Sequence, residues 1–210
     1  MLLLIIKKTL TLMALIEPFA VVPLFLATVK DLSYSQKQKF AKSLGVTVAV
    51  ALLVSGLFGI HLLHLLGVTL DGMRVGGGTI TLILAIAMVV GHEKDVKQIP
   101  SDESESIAGQ GHSIVPLGIP LLVGPATMAY SMIHSEWNSF GDVSVIVLPG
   151  ILCGIMTWLV FSTSQRVQPY LTASALAIIE KLAGFLLAGI AIDLIAGGLS
   201  GLFPFLKVAH

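Results

Sequence analysis

Residues 43–67, SLGVTVAVALLVSGLFGIHLLHLLG, contain no Asp, Glu, Lys or Arg. As a helix, roughly 20 such residues cross the hydrocarbon core of a bilayer, about 30 Å thick, so a run of this length must be either a membrane span or a helix buried in a large soluble core. Composition decides between the two. Only 11% of the 210 residues are charged and 55% are hydrophobic, whereas soluble domains carry about 25% charged residues. The sequence predicts an integral membrane protein.

Apolar segments recur at 9–29, 43–66, 70–91, 113–134, 143–164 and 176–198. The long polar stretch between them, residues 91–113, mixes Ser, Gly, Pro and both signs of charge, which cannot bury a core and reads as a surface linker. The expected fold is an all-α membrane protein with six transmembrane helices in a single domain, 1–210. A linker at about 92–112 divides it into halves 1–91 and 113–210 with three spans each.

Basic residues in short loops are retained on the cytoplasmic side. Lys30, Lys37, Lys39, Lys42, Lys94, Lys97 and Arg166 fall in loops one, three and five, whereas Lys7, Lys8 and Lys207 fall in the tails. Both termini are therefore expected outside a multi-pass cell-membrane protein. The net charge is zero, which offers nucleic acid no basic surface, and the lone Cys153 cannot form an internal disulfide. In MLLLIIKK the lysines follow the apolar run and no small-residue cleavage pattern comes after it, unlike a removed leader.

The second half matches the first at one ungapped offset. Displaced by 107 residues, Pro18 falls on Pro125, Arg74 on Lys181, Gly77 on Gly184 and Gly91 on Gly198. Prolines and basic residues are scarce inside apolar segments, so the correspondence predicts an internal repeat. With an odd number of spans per half, the second repeat enters the membrane the other way up, as in many secondary transporters with broken helices near the midplane.

Pro18 and Pro125 lie near the centres of spans one and four, where each removes a helix hydrogen bond and crowds the carbonyl four residues back. Helices one and four are thus expected to break. Backbone groups released at that depth need partners in protein, water or ligand. Half-helices starting at Pro18 and Pro125 would aim amides and positive dipole ends at the midplane from opposite sides, and Gly124 permits close approach. Carbonyls at 14–16 and 121–123 would suit an ammonium group or a cation. A small zwitterion fits this arrangement, with Glu17, Pro18, Phe19, Ala20, Leu122, Val123, Gly124, Pro125, Ala126 and Thr127 as the expected binding residues. The competing reading is that both prolines merely kink their helices. Pro23 is a further candidate kink.

Glu17, Arg74, Glu180, Lys181 and Asp193 fall within or at the ends of apolar segments, where ionisable residues usually face a cavity or one another. Glu17, Asp193, Arg74 and Lys181 are candidates either for ion coupling or for structural ion pairs, such as Glu17 or Asp193 with Arg74 or Lys181. The glycines of spans three and six suit close helix packing, and Thr79 and Thr81 are candidates for lining the cavity. His61 and His64 share a helical face but lack an acidic or thiol partner nearby, so no metal is expected. With no nucleophile-base-acid pattern or phosphate loop, the chain is expected to be neither an enzyme nor a cofactor binder.

At the two breaks the sequence resembles the MarC family of six-span membrane proteins. The family's first break, roughly D/N-P-x-G-N-x-P-x-F, is similar to EPFAVVPLF at 17–25, and its second, roughly I-P-L-x-x-G-P-G, to IPLLVGPAT at 119–127. The resemblance extends over nearly the whole chain, through MRVGGGTITL in span three and EKLAGFLLAGIAI in span six. The chain departs from the pattern at Glu17, at Ala20-Val21 in place of Gly-Asn, and at Ala126 in place of the last Gly. The resemblance implies an inverted-repeat transporter whose archaeal relatives include carriers of small neutral amino acids. The family's older association is with antibiotic resistance.

The function expected from these readings is alternating-access transport of small neutral amino acids of the glycine, alanine and serine type. The expected partners are the amino acid, a proton or sodium ion and the lipid bilayer, with homo-oligomerisation left open. The alternatives are a passive pore, a structural membrane subunit, or an exporter of other small molecules.

Overall fold

The computed structural model describes residues 1–90, 122–133, 140–167 and 173–206. All regular structure in these residues is helical: α1 (Leu2–Ile16), α2 (Pro18–Thr28), α3 (Tyr34–Leu65), α4 (Leu70–Val90), α5 (Pro125–Met132), α6 (Phe140–Val167), α7 (Ala173–Leu202) and a terminal 3-10 turn, Pro204–Leu206. Four stretches are long and apolar enough to cross a membrane: Tyr34–Leu65, Leu70–Val90, Val143–Ser164 and Ala177–Leu202. The pair α1 and α2, bent by 46° between them, provides a fifth if counted as one span. Of the segment expected at 113–134, only 122–133 are described, and the linker at 92–112 lies outside the described residues.

Local signals explain where the helices stop and start. α3 begins at Tyr34, well before the apolar run, because Ser33 and Gln36 form a reciprocal capping box: the Gln36 amide donates to Ser33 Oγ (3.4 Å) and the Ser33 amide donates to Gln36 Oε1 (2.9 Å). At the other end the chain enters the left-handed region at Gly67 (φ 69°), where a side chain would be strained. The Val68 amide donates to Leu63 O and the Gly67 amide to His64 O, the paired bonds of a Schellman ending. α1 likewise starts earlier than expected, at Leu2, and so takes Lys7 and Lys8 out of the tail and into a helix.

The long helices pack in two antiparallel pairs. Along α3 and α6, Gln38 meets Ser162, Gly45 meets Gly154 and Gly56 meets Ile146, so numbers rise on one helix as they fall on the other. A Cβ added at Gly45 would stand 2.6 Å from the Gly154 carbonyl oxygen, so this approach requires glycine. Along α4 and α7, Asp71 meets Gly198, Gly78 meets Ala191, and Ala85 meets Gly184 in the same sense. Phe25 of α2 packs its ring 4.8 Å from Phe161 of α6, within a core that also takes Leu12, Ile16, Val48, Leu52 and Cys153. Large apolar side chains also stand on the outer faces, for example Val46, Val50 and Val54, as expected where the solvent is lipid.

Candidate functional site

The first expected break is present, and at the second a helix starts at Pro125 as expected, with the segment expected before it, 113–121, outside the described residues. At the first, α1 ends on Glu17, whose amide donates to Met13 O (3.2 Å) and whose carbonyl accepts from the Ala20 amide (3.1 Å). Pro18 opens α2 at the first helical position, where its missing N–H is tolerated. Glu17 itself is held at φ 46°, ψ 54°, the one non-glycine residue with positive φ among the described residues. That conformation costs an ordinary L-residue about 1–2 kcal/mol. The Asp or Asn that the MarC pattern places here would enter it more readily, whereas glutamate keeps the bend and extends a longer side chain from it. Pro23 does not interrupt α2.

At the second break Gly124 is extended (φ −76°, ψ 174°) and caps α5, with Pro125 at the first helical position and the Met128 amide donating to Gly124 O (3.0 Å). Leu122, Val123, Ala126 and Thr127 are buried. α5 packs on α4 at Gly77, where a Cβ would come within 2.9 Å of both the Cα and N atoms of Ala126. On the α3 side the hydroxyls of Ser131 and Ser55 are 2.7 Å apart.

One hydrogen bond joins the two breaks directly. Thr127 Oγ1, on a side chain only 1% exposed, donates to Leu15 O at 3.4 Å. In an uninterrupted helix the Leu15 carbonyl would accept from the amide of residue 19; the turn at Glu17 separates them. A carbonyl released by the turn at Glu17 is therefore satisfied by the helix that starts at Pro125.

Beside the first break lies a cavity of about 210 Å³. Glu17, Pro18, Phe19 and Ala20 form one wall with Met13 and Ala14 of α1, and Ile179, Glu180, Ala183 and Leu186 of α7 form the other. The break supplies the wall because the turn carries the backbone out of α1's line, and residues 179, 183 and 186 recur at the spacing of one helical face. Two carboxyl side chains, Glu17 and Glu180, thus border an otherwise apolar space, with Glu17 only 8% exposed. The expected residues of the second break do not line it. They meet the first break elsewhere, through the contact of Thr127 with Leu15, while the cavity lies between the first break and α7.

The remaining candidates are distributed elsewhere. Arg74 Nη1 pairs with Asp71 Oδ1 at 3.0 Å, one turn earlier on α4, in place of the expected partners Glu17 and Asp193. Lys181 and Asp193 are exposed on α7. Thr79 and Thr81 donate to Val75 O (2.8 Å) and Gly77 O (2.9 Å) of their own helix and do not line the cavity. His61 and His64 are exposed on α3, and among the described residues no three His, Cys, Asp or Glu come together to hold a metal.

Two polar contributions escaped the sequence reading. Glu180 is expected from sequence to face a cavity or another charge, but not to stand opposite the first break; its position three residues before Ala183 places it on the cavity face. Lys8, read as part of the tail, is 6% exposed, and its Nζ donates to Ile133 O (2.8 Å) just past the end of α5. The apolar residues on both sides of Lys7 and Lys8 were the available signal that this helix begins before residue 9.

A match described as MarC family integral membrane protein covers residues 2–203. Among curated proteins, the chain is 27% identical over 198 residues to the UPF0056 membrane protein YhcE of Escherichia coli, covering 92% of this chain and 90% of that one. It is 28% identical over 204 residues to the UPF0056 membrane protein YvbG of Bacillus subtilis (96% and 97% covered). A UPF0056 membrane protein of Methanocaldococcus jannaschii is 26% identical over 195 residues (90% and 92% covered). No solved structure matches. With the family match running almost from end to end and relatives aligned over nine-tenths of their length, the chain belongs to the MarC family of integral membrane proteins.

Proposed function

We propose that this protein is a secondary transporter of small neutral amino acids, with substrate held at the first helix break. The observation that carries the reading is the cavity of about 210 Å³ beside Glu17–Ala20, inside a chain of membrane-spanning helices. Its volume lies below the roughly 300–1,000 Å³ of drug-sized pockets, which suits a solute of few heavy atoms. Carboxyl groups of Glu17 and Glu180 offer partners for an ammonium group, and the amino-terminal end of α2 offers a positive dipole end for a carboxylate. The apolar remainder of the wall favours a small aliphatic side chain over a charged one.

An inverted repeat is part of the same proposal. Equivalent positions of the two halves, 107 residues apart, support it: Gly77 of α4 receives the main chain of the second break, and Ala183, next to its counterpart Gly184, faces the first. The second helices of the two halves, α3 and α6, pack antiparallel, as do the third, α4 and α7, in accord with opposite orientations in the membrane. In this proposal the repeats rock against each other about the breaks, driven by a proton or sodium gradient, with both termini outside the cell membrane.

A structural role for the breaks is the second reading, favoured by one observation: the Leu15 carbonyl is already satisfied by Thr127. Uptake distinguishes the two. Proteoliposomes containing the purified protein should accumulate labelled glycine or alanine saturably under an imposed proton or sodium gradient; no saturable uptake under either gradient sinks the transporter reading.

A further inference from the structure

The amino-terminal end of α3 carries a second recess, far along that helix from the breaks. Tyr34, Ser35, Gln38, Lys39 and Lys42 line it with Trp158 of α6, forming an open groove of about 450 Å³. Its floor is fixed, because Gln38 Nε2 donates to Ser162 O (3.2 Å) and Ser162 Oγ donates to Gln38 Oε1 (2.8 Å), tying α3 to α6. Lys39 and Lys42, three residues apart, present their ammonium groups on one helical face. Both are exposed, and neither is ion-paired among the described residues.

Continuing from Lys42 in steps of four, Val46, Val50 and Val54 are all exposed on the same face of α3. Eight residues of helix rise about 12 Å, close to half of the roughly 30 Å hydrocarbon thickness. Thus a cationic recess with Tyr34 and Trp158 at its rim lies directly above an apolar track the length of one leaflet. Amphipathic rings favour that interfacial depth, and basic recesses between membrane helices attract anionic headgroups.

We propose that this groove is a binding site for an anionic phospholipid, with its phosphate between Lys39 and Lys42 and one acyl chain along Val46, Val50 and Val54. The track argues for a lipid over a free anion, which would use the lysines alone. The charge argues for an anionic lipid over a zwitterionic one. The recess is independent of the transport proposal.

The test compares full-length protein in nanodiscs, reading retention of phosphatidylglycerol against phosphatidylcholine with the same acyl chains. Wild type should retain phosphatidylglycerol preferentially, and millimolar inorganic phosphate should not displace it. At about 1 kcal/mol per basic residue, the pair Lys39→Gln/Lys42→Gln should weaken that preference on the order of 30-fold. Lys39→Arg/Lys42→Arg should preserve it, as should the charge-matched control Lys30→Gln/Lys37→Gln, whose side chains lie outside the groove. The proposal is overturned if the Lys39/Lys42 glutamine pair keeps the preference, if the arginine pair loses it, if the control loses as much, or if inorganic phosphate displaces the lipid.

Discussion

Replacing Thr127 by Val tests whether the two breaks support each other. Valine keeps the shape and β-branching of threonine but removes the hydroxyl that donates to Leu15 O, a bond between residues 112 apart in sequence. Loss of an interhelical side-chain hydrogen bond in a membrane protein costs about 0.6 kcal/mol on average and up to about 1.7. Two features of this site pull in opposite directions. The 3.4 Å separation is long for an O–H donor, which lowers the value, whereas leaving a buried carbonyl without its donor adds a desolvation penalty of about 1–3 kcal/mol. A net loss of about 1 kcal/mol follows, equivalent to roughly 2–4 °C in Tm for a chain of this size. Thermal unfolding of Thr127→Val in detergent, followed by circular dichroism, reads it. Thr79→Val is the control, since Thr79 is exposed and bonds only to its own helix. Equal Tm values for Thr127→Val and Thr79→Val would refute the argument that the released carbonyl depends on the opposite break.

Glu17→Gly should relieve the left-handed backbone and raise Tm by a few degrees, since that conformation costs a non-glycine residue about 1–2 kcal/mol; a lower Tm would mean that the carboxyl group stabilises the fold by more than its backbone strain. Gly77→Val should destabilise by about 1–3 kcal/mol, because the added Cβ meets main-chain atoms of Ala126 at 2.9 Å that cannot rotate away, and denaturant or thermal titration checks it. Glu180→Gln should reduce glycine uptake while Asp193→Asn, exposed on the same helix, leaves it unchanged; equal effects would remove the distinction drawn from the cavity.

Much of the fold was legible because its governing force leaves a direct mark in sequence. Apolar runs with few or no charges located α4, and the central parts of α3, α6 and α7, since hydrocarbon tolerates little else. Their ends were less legible, because hydropathy does not register a polar helix that projects beyond the bilayer. The extra turns of α3 are set by Ser33 and Gln36, a capping signal present in the sequence but masked by the lysines around it. The first turns of α1 were hidden by Lys7 and Lys8, whose charges suggested a tail although the fold buries one of them.

At the candidate site, proline chemistry located the first break and the start of the helix at Pro125, because a missing amide is a local property. What lay opposite each break was not local. Glu180 reaches the first break only because α7 packs beside it, and Thr127 reaches Leu15 only because α5 packs against α1. Glu17 illustrates the division best: its charge and its neighbouring proline were plain, whereas its left-handed backbone and its place in the cavity wall belong to the folded chain.

The central claim is that a small amino acid occupies the space between Glu17–Ala20 and the Glu180–Ala183 face of α7. Ala183→Phe would fill that space from the wall without altering either break, so paired glycine uptake by wild type and Ala183→Phe proteoliposomes addresses the claim most directly. The account predicts saturable, gradient-driven uptake in wild type and its loss in Ala183→Phe at similar Tm. Undiminished uptake by a folded Ala183→Phe variant would contradict it.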